Sequence, residues 1–583
     1  MTEYFEIHAR DGPARRGELR LADPLRTPAL VDDVLVDGGS LWPEERALPA
    51  GDPASLTALP HRGFPAGTRT EVQDAFAVDV PDVDYPSAAV VTPETAADHP
   101  ADASVLSTAT GAAGHAERVL DAVLTVRRAT PPDTALYLPG VATPRNVAAL
   151  TYAGVDLFDA KLARVRGNQG RYLTTEGEYT LGDDRLDELP APFPGEPPLD
   201  TFDREDCVKH NVAALESELA TVRTRVTNGR LRDYVEGQAR HQNWLTALFR
   251  LFDDEWGYVE ERTPIYRSAP LAAASEDALR RAEFRRFADR VTSRYRPRFD
   301  DLPLVLVPCS ARKPYSESQS HAQFHKAIGY RGHVVSVTSP IGAVPQELEL
   351  VYPAQHYDAV VTGRWTAGER EFVSEVLSRY LDCADSPRVV AHVPEDYRSV
   401  VEAALDGRDL PVSWTVDDHP TTDDSLAALS GALAGEESYR KRTRQHRTLR
   451  ALADYQFGAR AGEALFADDL RVQGRYPKLV AYEGDEQVAA LVPQYGSLAF
   501  TLAGADRALA RGVAPRVEID DFVPRGSVLA PGVVDAADDV RVGDEVVIEG
   551  PRALAVGRAA MSGPEMRAST RGVAVDVRHA EER

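Results

Sequence analysis

Residues 308–321 read Pro-Cys-Ser-Ala-Arg-Lys-Pro-Tyr-Ser-Glu-Ser-Gln-Ser-His. This short run holds a thiol (Cys309), an amine (Lys313), a phenol (Tyr315), four serine hydroxyls and an imidazole (His321). Together such groups can carry nucleophilic or acid–base chemistry. The alternative is a well-capped strand–helix turn with one core cysteine.

The flanking residues say where the run sits. An apolar, strand-like stretch, Leu302 to Val307, precedes it, and a helix-like stretch, Ala322 to Ile328, follows and closes at Gly329. Open α/β sheets hold ligands where a buried strand opens into a loop at its carboxyl end. Ser318 or Ser320 can cap the following helix, leaving first-turn N–H groups for an anionic or nitrile-like group. Further on, Glu347 follows a turn at Val344-Pro345, and His356-Tyr357-Asp358 leads into an apolar strand, Ala359-Val360-Val361. Gly363, Arg364 and Trp365 end that strand, on the same rim as Cys309 if the sheet is parallel. Glu347, Asp358 and Trp365 are therefore candidates for a substrate pocket, each with an ordinary structural role as its alternative.

The run resembles the PCS-x-x-KPY-x-x-S-x-SH signature of the archaeal archaeosine synthases, paralogues of tRNA-guanine transglycosylase. Pro308, Cys309, Ser310, Lys313, Pro314, Tyr315, Ser318, Ser320 and His321 all meet it. Residues 1–295 are similar, in pieces, to the transglycosylase barrel: Phe5 to Leu30, 138–179 around the nucleophile position, and the helical 210–236. The expected fold is α/β and multidomain. A degenerate TIM-type (β/α) barrel (1–295) is followed by a second α/β domain with the signature (296–430), a small α+β domain (431–510) and a C-terminal PUA β-barrel (511–583). Asp159 stands at the position of the family's covalent nucleophile, with an acidic residue at a strand end as the plainer reading. Asp37-Gly38-Gly39-Ser40 matches only a fragment of the base-recognition loop, and a Gly-Gly turn is the preferred reading. Of the family's zinc cluster only Cys207 and His210 remain; one thiol and one imidazole cannot close a tetrahedral site, so no zinc is expected.

What the resemblance implies is amine addition to the nitrile of 7-cyano-7-deazaguanine at position 15 of tRNA. Lysine, or in an older description glutamine, supplies the nitrogen, and a radical-SAM protein acts on the adduct. His321 is the expected acid/base, with Ser318 and Ser320 orienting it or donating to the developing amidine. Cys309 is a transient nucleophile or a small pocket residue, its thiolate favoured by Arg312 and Lys313. Lys313 would anchor a carboxylate or phosphate, and Tyr315 would stack on the base. A zinc-dependent transglycosylase and a non-catalytic tRNA scaffold are the rival readings. The basic run Arg440, Lys441, Arg442 and Arg444, and Arg525, Arg558 and Arg571 of the C-terminal module, are the expected RNA contacts. A second Arg-rich run, 280–298, is read as RNA-facing in the same way; it carries Phe284, Phe287 and Tyr295 at helical spacing, so some of these rings belong to a core.

Composition narrows the setting. The 583 residues carry 66 basic against 91 acidic side chains, a net charge of −25, yet 43% are apolar. Lysine occurs only at 161, 209, 313, 326, 441 and 478. A solvated acidic shell suits molar salt, where the Debye length falls to roughly 3 Å and self-repulsion fades. Cys207, Cys309 and Cys383 make no disulfide framework. Residues 1–6 lack a signal-peptide pattern, and no apolar run approaches the roughly 20 residues of a membrane span. The expectation is a soluble cytoplasmic protein without cofactor or membrane contact, working with tRNA and, in a homodimer, with a second copy.

Overall fold

Short apolar runs alternate with helices through the first half of the chain, and they fold into a parallel sheet. The computed structural model describes residues 3–182, 189, 198–299, 301–359, 364–466 and 470–583. Seven strands run in the order Ala29–Leu30, Leu157–Phe158, Ala135–Tyr137, Ala103–Leu106, Ser87–Val91, Leu56–Ala58 and Leu35–Asp37, all pairs parallel. The two edge strands are close in sequence. The chain from Leu30 to Leu35 spans at most about 18 Å, whereas six inter-strand spacings of a flat sheet need about 29 Å. The sheet therefore curls back on itself as a partial barrel. An antiparallel three-stranded sheet, Phe5–Asp11, Ala14–Leu19 and Leu25–Thr27, precedes it. Arg15 of that sheet reaches the fully buried Asp156, Nε to Oδ1 at 3.0 Å. The late helical segment is a helix at Arg204–Thr227, opened by a capping box between Asp203 and Asp206, and a second helix at Leu231–Gln238.

By compactness the chain divides into two units. One contains residues 1–264 with 529–531 and 564–573; the other contains 265–528, 532–563 and 574–583. The second unit is built on a five-stranded sheet in the order Gly342–Pro345, His333–Thr338, Leu304–Pro308, Val389–Ala391 and Val412–Trp414. Only Gly342–Pro345 runs antiparallel. Leu304, Val305, Leu306 and Val307 are all fully buried because helices cover both faces of a parallel sheet. The carboxyl end of this central strand delivers Pro308 and Cys309.

Two expectations need correction here. The strand leading out of His356 spans Tyr357–Ala359 and pairs in parallel with Leu271–Ala273 in a separate two-stranded sheet, so it does not extend the sheet of Cys309. Positions 360–363 lie outside the described residues. In the Arg-rich run, Phe284, Phe287 and Tyr295 are all core residues, and Arg281, Arg286 and Arg290 are buried too, so the helix Ala282–Ser293 is an internal packing element.

After a helix at Lys441–Phe457 comes a four-stranded antiparallel sheet, Arg471–Arg475, Lys478–Glu483, Glu486–Val492 and Ser497–Phe500. The C-terminal module is a six-stranded sheet whose centre is Val573–Glu582, Ala553–Ala559, Glu545–Gly550 and Arg516–Ile519. Among the described residues no helix is long and apolar enough to cross a membrane.

Candidate active site

Cys309 opens onto a cavity of about 370 Å³, lined also by Lys313, Asp358, Arg364, Trp365 and Tyr397. The Cys309 Sγ lies 3.6 Å from the Tyr397 hydroxyl. The Tyr397 ring packs on Trp365 at 4.4 Å between centroids. Lys313 holds its Nζ 3.8 Å from the centre of the Tyr357 ring. Burial pulls the Lys313 pKa below the ordinary lysine value, opposed by Cys309 and Asp358 nearby. Burial, with Cys309 beside it, pushes the Tyr397 phenol up, so it stays protonated. Arg364 and Trp365 reach this cavity from the Tyr357–Ala359 side, so one rim is assembled from two sheets.

The rest of the signature lies underneath. Ser318 caps the helix Gln319–Ile328 by accepting from the His321 N–H at 3.2 Å, and its Oγ is 3.3 Å from that of Ser320. Gly329 closes the helix in the left-handed region at φ +61°, where glycine pays no Cβ penalty. His321 is buried, stacks on Tyr315 and donates from Nε2 to the Pro308 carbonyl at 3.0 Å. Tyr315 is core: its hydroxyl meets that of Tyr357 at 2.7 Å, which in turn meets Thr338 Oγ1 at 2.9 Å. The Ser316 N–H donates to Glu349. None of Ser318, Ser320, His321 and Tyr315 is among the residues lining the cavity. These contacts brace the loop that presents Cys309, and Tyr315 has no face left on which to stack a base.

Desolvation pushes the His321 pKa down to about 4, that of His392 to about 4 and that of His325 to about 3. Each folded value lies below the ordinary 6.5, so the unfolded chain binds the extra protons between the two. Their stabilising contribution is present above about pH 6.5 and is lost as pH falls towards 4. Urea midpoints are expected to be lower at pH 5 than at pH 7, with His321→Asn removing part of the difference. For the same reason the pH–activity profile is expected to carry no His321 inflection near 6.5.

Other expected site residues lie elsewhere. Glu347 is buried away from the cavity, accepting from His333 Nε2 at 3.1 Å and from the Tyr295 hydroxyl at 3.4 Å. Asp159 is 1% exposed and saturated. It accepts from the Tyr137 hydroxyl at 2.7 Å, from the Gly140 N–H at 3.0 Å and from the Lys161 N–H at 3.0 Å. A carboxylate so engaged is a structural anchor for two strand ends. Asp159→Asn is expected to leave amine addition unchanged and to cost about 1–3 kcal/mol of stability, read by urea unfolding. Cys207 is buried, its thiol pushed up to about 11, while His210 stacks on Tyr172 at 3.9 Å and bonds the Leu173 carbonyl.

The basic residues divide. Arg440, Lys441, Arg442 and Arg525 are exposed. Arg444 turns inward over the Tyr476 ring at 5.8 Å. Arg558 donates to the Tyr266 hydroxyl at 3.1 Å and covers Tyr495 at 4.5 Å, and Arg571 lies 3.8 Å from Glu3. Tyr397 and Asp396 escaped the sequence reading. They open the helix Glu395–Leu405 after Val389–Ala391, the strand beside that of Cys309, so strand order was the missing signal.

Four domain families match the chain. The queuine tRNA-ribosyltransferase family matches residues 94–196, a domain of unknown function (DUF5591) 284–433, the patch-forming domain C2 of tRNA-guanine transglycosylase 447–512, and the PUA domain 515–580. The cavity therefore falls largely in the segment whose family has no described function. The chain is 58% identical to the archaeosine synthase of Haloferax volcanii over the full length of both proteins. It is 40% identical to archaeosine synthase subunit alpha of Methanosarcina acetivorans over 99% of each. A tRNA-guanine(15) transglycosylase of Methanothermobacter thermautotrophicus is 28% identical over 79% of this chain and 68% of its own. With a degenerate barrel, a second α/β domain and a PUA module in one chain, and with relatives matched end to end, the protein belongs to the archaeosine synthase family, enzymes that modify tRNA in archaeosine biosynthesis.

Proposed function

We propose that the protein joins lysine, through an amine, to the nitrile carbon of 7-cyano-7-deazaguanine at position 15 of tRNA, in the cavity at Cys309. The observation that carries this reading is the placement of a half-buried thiol at the carboxyl end of a central parallel strand, on a cavity large enough for a small ligand.

The Cys309 thiolate adds to the nitrile carbon, and the nitrile nitrogen takes up a proton to give a thioimidate. The neutral amine then adds to the same carbon. The carbon–sulfur bond breaks, the thiolate departs, and an amidine remains. The net change is one new carbon–nitrogen bond, with the amine proton transferred to the former nitrile nitrogen. The amine of free lysine, at about 10.4, must first lose its charge. The desolvation that already depresses Lys313 acts in the same direction on an amine held beside it. Glu276, Asp358, Glu369 and Asp396 line the cavity against two cations, Lys313 and Arg364, a balance that favours lysine, with its second, side-chain ammonium, over glutamine, whose side-chain amide is neutral. Arg440, Lys441, Arg442 and Arg525 contact the tRNA backbone, the adduct passes to a radical-SAM partner, and the reaction runs in the cytoplasm.

Mass spectrometry of nitrile-bearing tRNA incubated with this protein alone, and with lysine or glutamine, tests the reading. A lysine-mass increment on the modified base is expected. No increment with lysine, or nitrogen transfer from glutamine, overturns it.

A further inference from the structure

A chain of net charge −25 must hold a polyanion, and counterion release weakens phosphate contacts as salt rises. Aromatic faces do not suffer this penalty, and one pair of rings stands out on the first unit. The loop after Leu35–Asp37 turns through Gly38 and Gly39. Asp37 Oδ1 accepts from the Gly39 N–H at 2.8 Å, with Gly39 at φ +91°. This turn carries Trp42 to the carboxyl-end rim of the curled sheet, the rim where barrels of this kind hold ligands.

Trp42 is fixed in place. Its indole N–H donates to the Gly63 carbonyl at 3.0 Å. Phe64 meets it edge-on at 5.5 Å and Phe76 lies tilted at 5.4 Å. The Arg62 guanidinium covers it at 5.7 Å and also bonds the Phe76 carbonyl. Despite these restraints Trp42 is 47% and Phe76 46% exposed. Rings held rigid yet left half outside form a preorganised stacking surface, and the adjacent guanidinium supplies the charge that complements a nucleotide's phosphate.

We propose that Trp42 and Phe76 receive an unpaired base of the substrate tRNA by stacking, with Arg62 drawing in that nucleotide's phosphate. This rests on the family's action on tRNA and is independent of the nitrile chemistry.

The test is tRNA binding by the full chain at two KCl concentrations. Trp42→Ala and Phe76→Ala are each expected to weaken binding about 5–150-fold, from the roughly 1–3 kcal/mol of one stacked base. The factor should be the same at both salts, because stacking releases no counterion. Trp42→Phe should retain most of the affinity, and Arg62→Gln should reduce the salt slope by about one. Quenching of Trp42 by tRNA, read as the difference between wild type and Trp42→Phe, gives a second readout that survives any folding defect of the alanine variant. Unchanged affinity with no quenching overturns the proposal. So does a change in oligomeric mass on Trp42→Ala without loss of tRNA binding, which would make the patch a contact between copies.

Discussion

Cys309→Ala is expected to slow amine addition at least about 10³-fold, because removing a covalent nucleophile removes the step rather than one contact. The affinity for nitrile-bearing tRNA should fall far less, since the thiol contributes little area to the cavity. Wild-type protein given the nitrile tRNA without lysine should accumulate a protein–RNA adduct through Cys309, visible by mass spectrometry under denaturing conditions. Cys309→Ser should also fail, since a hydroxyl near its ordinary pKa is a far weaker nucleophile. A loss of less than about tenfold in the alanine variant would instead mean that the amine attacks the nitrile directly, with Cys309 only shaping the cavity. The two outcomes differ by several kcal/mol of barrier at about 1.4 kcal/mol per decade.

Glu347→Ala is expected to cost about 3–5 kcal/mol of folding free energy, the range for removing one partner of a buried ion pair. His333 is itself fully buried, sandwiched against Phe299 at 4.8 Å, with the Tyr380 hydroxyl 3.5 Å from Nδ1. Without the carboxylate its Nε2–H and the Tyr295 hydroxyl lose their shared acceptor inside the core. Glu347→Gln keeps an oxygen there and should cost less. Burial is the largest single influence and would raise the Glu347 pKa, but His333 beside it, a backbone hydrogen bond and Arg444 together outweigh burial and hold it below the ordinary glutamate value. The carboxylate's contribution is therefore present above the ordinary glutamate range and lost as pH falls through the lower folded value. The gap between wild type and Glu347→Gln in urea unfolding should narrow in strong acid. Loss of activity in either variant should follow loss of folded protein, whereas a Glu347 that bound substrate would lower activity at full folding.

Much of this was legible in the residues themselves. Continuous apolar runs such as Leu304 to Val307 announce strands buried on both faces, and Ser318 with Gly329 bound a helix by capping rules that act within a few residues. These are local effects, so local sequence carries them. The signature marked the loop after the central strand, and the cavity does open at Cys309 and Lys313. Its individual roles were not legible. Cysteine, tyrosine, serine and histidine look equally reactive in a string, and only burial separates those that face a cavity from those that brace it.

The basic runs show the same limit. Lys441 and Arg442 stay outside while Arg444 folds over Tyr476, although all three lie in the first turn of one helix. A helix turns about 100° per residue, so adjacent charges face different surroundings, and which side is inside depends on what packs there. By itself the sequence determined strands such as Leu304–Pro308 and helices such as Gln319–Ile328, the multidomain α/β class and the membership of a tRNA-modifying family, because these depend on periodicity, capping and motif. Only the tertiary structure decided that Tyr397 stands with Cys309 and Trp365 while His321, Tyr315 and Glu347 do not. Those groupings join residues far apart along the chain, through strand order and burial that no local pattern encodes.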